Sequence, residues 1–254
     1  MAPGRKSATG AVATGAGGIR YQNLSRLMPT RVAVHQPNFA PWLGYFDKMK
    51  KVDTFILMDT VQYVRRHICN RNKIKNSQGE AQWLTVPVKS QSREDNFLET
   101  RVAYEQKFPE KALQTLEHAY KKSPWFEQYF PALEALLSKP WDNLADLNIA
   151  LIQWLKEILG IETKLVRMRD LPGDLGQKSE QIIALCRLTG GDYYLSGRGA
   201  RAYNDPEAFA AAGIALAYQE FEHPVYPQMG KEFVSHLSAL DLIFNCGPES
   251  PRYL

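Results

Sequence analysis

The stretch Arg31-Val32-Ala33-Val34-His35-Gln36-Pro37-Asn38, followed by Val52-Asp53-Thr54-Phe55-Ile56-Leu57-Met58, decides the fold. Val32-Ala33-Val34 is a short apolar run that reads as a buried strand, and Pro37, which has no amide hydrogen to donate, ends its pairing. Between the two runs Trp42, Phe46, Met49 and Lys50 recur at helical spacing. A strand, a helix and a second strand in quick succession form a β-α-β unit, the element from which parallel sheets are built.

The pattern extends outward from this unit. Residues 83–88 and 101–104 read as two further short strands, and residues 109–121, 124–137 and 143–159 as helices. In the last of these Leu144, Leu147, Leu151, Ile152, Leu155, Ile158 and Leu159 form one apolar face, with Asp142 as the expected cap and Gly160 as the stop. Alternation then resumes: strand 164–168, helix 179–188 closed by Gly190, strand 193–196, helix 206–212, strand 214–221 and a last helix 234–244. The expectation is an α/β protein with a mostly parallel, nucleotide-binding-like sheet and a helical middle segment. Residues 28–254 form a single α/β domain with a helical insertion at about 106–160. Residues 1–27 are mostly Gly, Ala, Ser and Thr and read as a disordered leader, or an upstream start before one at Met28, because they cannot bury enough apolar surface to offset ordering.

Composition narrows the function classes. Of 254 residues 44% are hydrophobic and 23% charged, the balance of a globular protein and not of a disordered or fibrous one. The net charge of +4 vanishes once Arg5, Lys6, Arg20 and Arg26 of the acid-free first 30 residues are set aside, so overall charge is no nucleic-acid signature. Three widely spaced cysteines, Cys69, Cys186 and Cys246, supply neither a disulfide framework nor a zinc motif and fit a reducing, cytoplasmic setting. No apolar run approaches the roughly 20 residues that span a bilayer.

Four constellations carry candidate chemistry. His35-Gln36-Pro37-Asn38 stands at the carboxyl end of the first strand, with Pro41-Trp42-Leu43-Gly44-Tyr45-Phe46 entering the helix, at the edge where ligands of open α/β sheets bind. Read otherwise, Gln36-Pro37 and Gly44 shape a turn and Trp42 is core. Asp59-Thr60-Val61-Gln62-Tyr63 follows the second strand, and Asn70-Arg71-Asn72-Lys73 lies beyond it. Residues 31–76 hold nine Lys or Arg against three Asp, a segment suited either to a phosphate-bearing ligand or to a solvated loop.

Ser196-Gly197-Arg198-Gly199-Ala200 matches the loose dinucleotide pattern, yet Asp205-Pro206 opens the next helix too late for a pyrophosphate to sit on it. A turn or an anion-binding nest is the better reading than a nicotinamide site. His223-Pro224-Val225-Tyr226-Pro227-Gln228 is a proline-braced loop bearing groups suited to proton transfer and polar recognition, or simply a rigid loop. The five histidines show no zinc spacing, so no metal is expected.

With these motifs in view, the chain resembles the WbqC-like family from about Met28 to Leu254. The likeness rests on His35-Gln36-Pro37, Pro41-Trp42-Leu43-Gly44-Tyr45-Phe46, Asp59-Thr60-Val61-Gln62, Asn70-Arg71-Asn72, Leu195-Ser196-Gly197, Tyr226-Pro227-Gln228 and the closing residues 241–247. The resemblance implies an association with bacterial surface-polysaccharide genes and, for some members, glycine transfer. A more distant likeness links Trp42-Leu43-Gly44-Tyr45 to adenylate-forming nucleotidyltransferases of the pantothenate synthetase kind, which carry two histidines around that glycine. Both positions are aromatic here, so phosphoryl stabilisation would fall to Arg71 or Lys73.

Together these readings predict an acyl transferase that joins a glycyl or other aminoacyl group to an amine of a sugar or related small-molecule substrate. The activated donor comes from ATP or from an aminoacyl-tRNA. The alternative is a non-catalytic nucleotide-sugar or nucleic-acid binding protein. His35 or His223 is expected to accept the amine proton. Gln36, Gly44, Tyr45, Arg71, Lys73, Ser196, Gly197 and Arg198 are expected to hold the donor, and Asp59, Gln62, Asn70, Tyr226 and Gln228 to meet the acceptor.

Overall fold

The computed structural model describes residues 28–64, 67–89 and 95–254; the expected leader over 1–27, and Arg65 and Arg66 of the basic segment, lie outside the described residues. Five strands form one parallel sheet: β1 (Arg31–His35), β2 (Thr54–Leu57), β5 (Lys164–Arg167), β6 (Tyr193–Ser196) and β7 (Ala215–Tyr218). Their spatial order is β5-β2-β1-β6-β7. The chain builds outward from β1 through β2 to β5, then returns to the other side of β1 for β6 and β7. The strand order therefore reverses between β1 and β6, and the carboxyl ends of those two strands are the switch point at which open α/β sheets hold ligands.

Side chains alternate across the sheet, which divides the core in two. Ala33, Phe55, Leu57 and Leu195 face α1 (Leu43–Lys50), α4 (Leu144–Ile158) and α7 (Ala239–Cys246). Val32, Val34, Ile56 and Tyr194 face α5 (Lys178–Leu188) and α6 (Pro206–Ala211). The first cluster also takes in α2 (Glu110–Tyr120) and α3 (Phe126–Leu137), so the three middle helices share its core. In α4 the fully buried Leu147, Leu151, Ile152 and Leu155 each contribute roughly 1.5–3 kcal/mol.

Several boundaries differ from expectation for local reasons. The charge run at 71–75 is strand β3 (Arg71–Lys75), paired antiparallel with β4 (Ala81–Thr85) in a separate hairpin, so the strand expected at 83–88 begins earlier. Asn76 makes the turn: its Oδ1 accepts from the backbone N–H groups of Gln78 and Glu80, and Gly79 takes a φ of +89°. Residues 101–104 contribute only a Val88–Val102 bridge before a 3-10 turn at Tyr104–Gln106. Asn143, not Asp142, caps α4, its Oδ1 accepting from Asp146 N at 2.8 Å. The last helix starts at Ala239, capped by Ser238, because the Gln228 side chain both accepts from Val234 N and donates to Val234 O, holding that residue outside the helix.

Candidate functional site

β1 and β6 part at their carboxyl ends. β1 pairs with β2 from Val32 to His35, whereas its pairing with β6 covers only Arg31 and Val32. On the β2 side the carbonyls of Arg31 and His35 accept from Asp53 N and Met58 N. Alternation along the strand directs the Val34 carbonyl toward β6, where the ladder has stopped. Lys48 from α1 fills that position, its Nζ donating to Val34 O at 3.0 Å.

The parting opens a cleft of about 560 Å³. His35, Gln36 and Lys48 form one wall, Ser196, Gly197, Gly199 and Asn204 the opposite one, and Lys178, Ser179 and Gln181 at the start of α5 a third. A side arm of about 250 Å³ continues past His35 and Lys48 to Trp42, Gly44, Tyr45, Arg198 and Gln219. Among the described residues no Asp or Glu lines either space, whereas Lys48, Lys178 and Arg198 do. That balance suits an anionic ligand.

Each wall has a local cause. Trp42 lays its ring over Gly44, where a Cβ would run into the indole, so the glycine lets the aromatic side chain fold back across the start of α1. Gln219 Nε2 then binds Gly44 O and Asp47 Oδ2, both at 2.7 Å, tying β7 to that helix. On the opposite wall neither Gly197 nor Gly199 has a left-handed φ, and nothing lies within 4 Å of the place a Cβ would occupy at either. The protein's own packing does not demand glycine there, and both positions border the cleft. Asn204 Nδ2 donates to Ser196 Oγ at 3.0 Å and keeps the wall in place.

Burial shifts His35, Tyr45 and Lys48 at the cleft toward their neutral forms. His35 Nδ1 lies 3.1 Å from the Gln36 carbonyl, an acceptor, so Nδ1 carries the proton. Burial, aided by the nearby Lys48, holds the imidazole well below its ordinary value, which leaves Nε2 with a free lone pair at neutral pH. The Tyr45 ring packs 4.7 Å from the His35 ring, and its hydroxyl donates to the same Gln36 carbonyl at 3.2 Å. Burial pushes the Lys48 amine down to about 7.

Of the residues singled out in the sequence, His35, Gln36, Gly44, Tyr45, Ser196, Gly197 and Arg198 come together at this cleft. The rest lie elsewhere. Asp59 is fully buried, accepting from Arg167 Nε at 2.7 Å and from Arg169 N at 3.1 Å. Gln62 borders a neighbouring hollow beside residues 168–177. Asn70 is a buried tie to Val86 O at 2.8 Å. Arg71 and Lys73 project from the hairpin over the half-exposed Trp83, 4.2 Å and 5.4 Å from its ring centroid. Tyr226 and Gln228 are fastened to the buried Asp241 carboxylate, each donating to Oδ2 at 2.8 Å. His223 gives its Nδ1 proton to Pro224 O at 2.8 Å and stacks on Trp42, outside the cleft lining.

Lys48, Lys178, Gln181, Asn204 and Gln219 were not singled out. For Lys48 a pointer existed: it lies one turn after Gly44 on the same helix face, so assigning Gly44 and Tyr45 to the site entails it.

The sequence model of the WbqC-like protein family matches residues 36–253. An uncharacterized protein of Mycobacterium tuberculosis, Rv1507c, is 34% identical over 226 residues, covering 88% of this chain and 97% of that protein. No solved structure matches the chain. Among the described residues no helix is long and apolar enough to cross a membrane.

Proposed function

The chain belongs to the WbqC-like protein family, and from that premise and the shape of the cleft we propose that it is an acyl transferase whose phosphate-bearing donor sits between β1 and β6. The observation that carries this reading is the neutral His35 imidazole placed where the strands part, in a cleft that, among the described residues, is lined by cations and no acid. The donor is a glycyl or other aminoacyl group activated as an adenylate from ATP or as an ester of tRNA. The acceptor is the amine of a sugar or related metabolite. Its nitrogen attacks the acyl carbonyl, the N–C bond forms, and the leaving oxygen departs with the bonding pair. The attacking amine must shed a proton, and His35 Nε2, neutral at the cleft, is assigned to receive it. The place of action is the cytoplasm, where both kinds of donor are made, in the assembly of a surface polysaccharide.

The test pairs binding with product analysis. ATP, other nucleoside triphosphates and aminoacyl-tRNA are titrated by calorimetry. Each is then incubated with amino acids and amino sugars, and amide products are sought by mass spectrometry. An amide formed by the native chain and lost in His35→Gln supports the reading. Ligand binding with no product in any mixture favours the non-catalytic alternative.

A further inference from the structure

We propose that Lys48 is the anion-binding group of the cleft and that it takes up a proton as a phosphate-bearing ligand enters. The inference rests on the reading of the cleft as a phosphate site and adds the residue and the proton that such binding involves.

Lys48 is the lysine or arginine, among the described residues, that lines both the main cleft and its side arm. Its side chain is almost wholly buried, yet no carboxylate lies within ion-pair distance of it among the described residues. One N–H is spent on Val34 O. An ammonium has three, so two remain for a ligand. The Phe55 ring, 5.7 Å from Nζ, favours the charged form when it arises.

The surroundings withhold charge until an anion arrives. From β1 comes His35, neutral and unable to stabilise an ammonium. From β6 comes Tyr194, which burial keeps protonated, and the turn after it brings Arg198. From α5 comes Lys178. On α1 itself Tyr45 is held protonated by burial, and Asp47 is committed to Lys51 at 2.9 Å and to Gln219. Burial holds the Lys48 amine near neutrality. An incoming phosphate oxygen supplies the missing opposite charge and thereby favours the ammonium. The proton comes from solvent and ends on Nζ.

The experiment uses pyrophosphate and ATP as probes on the full chain carrying ¹³C at lysine Cε, whose shift follows the charge on Nζ. Loss of one resonance in Lys48→Met, or its absence in Lys48→Arg should the first variant fold poorly, assigns the signal. The expected result is a midpoint near neutral pH that rises by about one unit or more when probe saturates the site. Calorimetry near pH 8 in two buffers of unequal ionisation enthalpy should then show uptake of about 0.4 proton for a rise of one unit, and more for a larger rise. Lys48→Arg, a permanent cation, should bind without uptake. Probe binding that leaves the Lys48 midpoint unmoved overturns this inference and spares the phosphate site. Failure of both probes to bind overturns the two together.

Discussion

Asn148 on α4 donates its Nδ2 to the Pro37 carbonyl at 2.7 Å, across 111 positions of sequence. The same nitrogen donates to Cys69 O at 2.8 Å, and Asn72 Nδ2 donates to Ala40 O at 2.8 Å. The loop that follows His35 is therefore held by the helical middle segment and by the hairpin. This polar side chain, buried to 0% exposure, satisfies two carbonyls at once.

Asn148→Leu keeps the branched outline of the side chain, with somewhat bulkier methyl groups, and removes both donors. It should cost roughly 2–4 kcal/mol, since two buried acceptors lose their partner. Urea unfolding followed by circular dichroism measures this. A loss under about 0.5 kcal/mol would mean that the loop is held elsewhere.

Arg71→Ala and Lys73→Ala should leave the affinity for pyrophosphate or ATP within about twofold of native, because both side chains lie over Trp83 on the hairpin and not at the cleft. Tyr226→Phe should likewise spare binding, while lowering stability by about 1–3 kcal/mol through the lost bond to Asp241. Calorimetry and thermal melts separate the two effects. A tenfold weaker binding in either hairpin variant would extend the site to β3.

The β1-α1-β2 unit was legible because apolar runs and helical spacing there are local properties, and they placed His35, Gln36, Gly44 and Tyr45 correctly at the carboxyl edge. The hairpin was harder to read. β3 alternates Asn72 and Ile74 inward with Arg71 and Lys73 outward, and β4 buries only Leu84, so neither strand carries a period-2 apolar signal. Polar residues in the proline-braced loop read as recognition groups. Tyr226 and Gln228 instead meet Asp241, which sequence places on another element. Lys48, apart from its one-turn spacing from Gly44, was hidden for the opposite reason. A lysine in a short helix reads as solvent-facing, and only the parting of β1 from β6, a tertiary event, gives it a buried acceptor.

Gly197→Ala offers a test of the cleft that does not disturb the fold. Gly197 has φ −71° and ψ 150°, which alanine adopts freely, and a Cβ there meets nothing within 4 Å. Stability should hold or rise by about 0.4–1 kcal/mol through a less mobile unfolded chain. The added methyl projects from a cleft wall, so probe affinity should fall about tenfold or more. Unchanged affinity with unchanged melting would place the ligand away from this wall.

The two buried bases give stability a pH dependence with a definite sign. His35 is held neutral in the folded protein, so below about pH 6.5 the unfolded chain binds a proton there that the folded chain does not, and stability falls as acid is added. Lys48 acts in the same direction over a higher window. Its amine sits near 7 when folded and near its ordinary value, about 10.4, when unfolded, so between those limits the unfolded state holds the extra proton. Stability therefore rises with pH from 7 toward 10.4 on its account, and the full cost of burying the lysine is felt below 7. Lys48→Met removes that cost. The variant should gain on the native protein at pH 6 by a few kcal/mol, and the gain should shrink steadily and be gone by about pH 10.5. Taking the difference between the two proteins at each pH cancels the titration of groups that do not feel Lys48; His35 does feel it, and its contribution is confined to the acid end of the range. Urea unfolding at pH 6, 7.5, 9 and 10.5 measures it, and a difference independent of pH would show that Lys48 keeps its charge on folding.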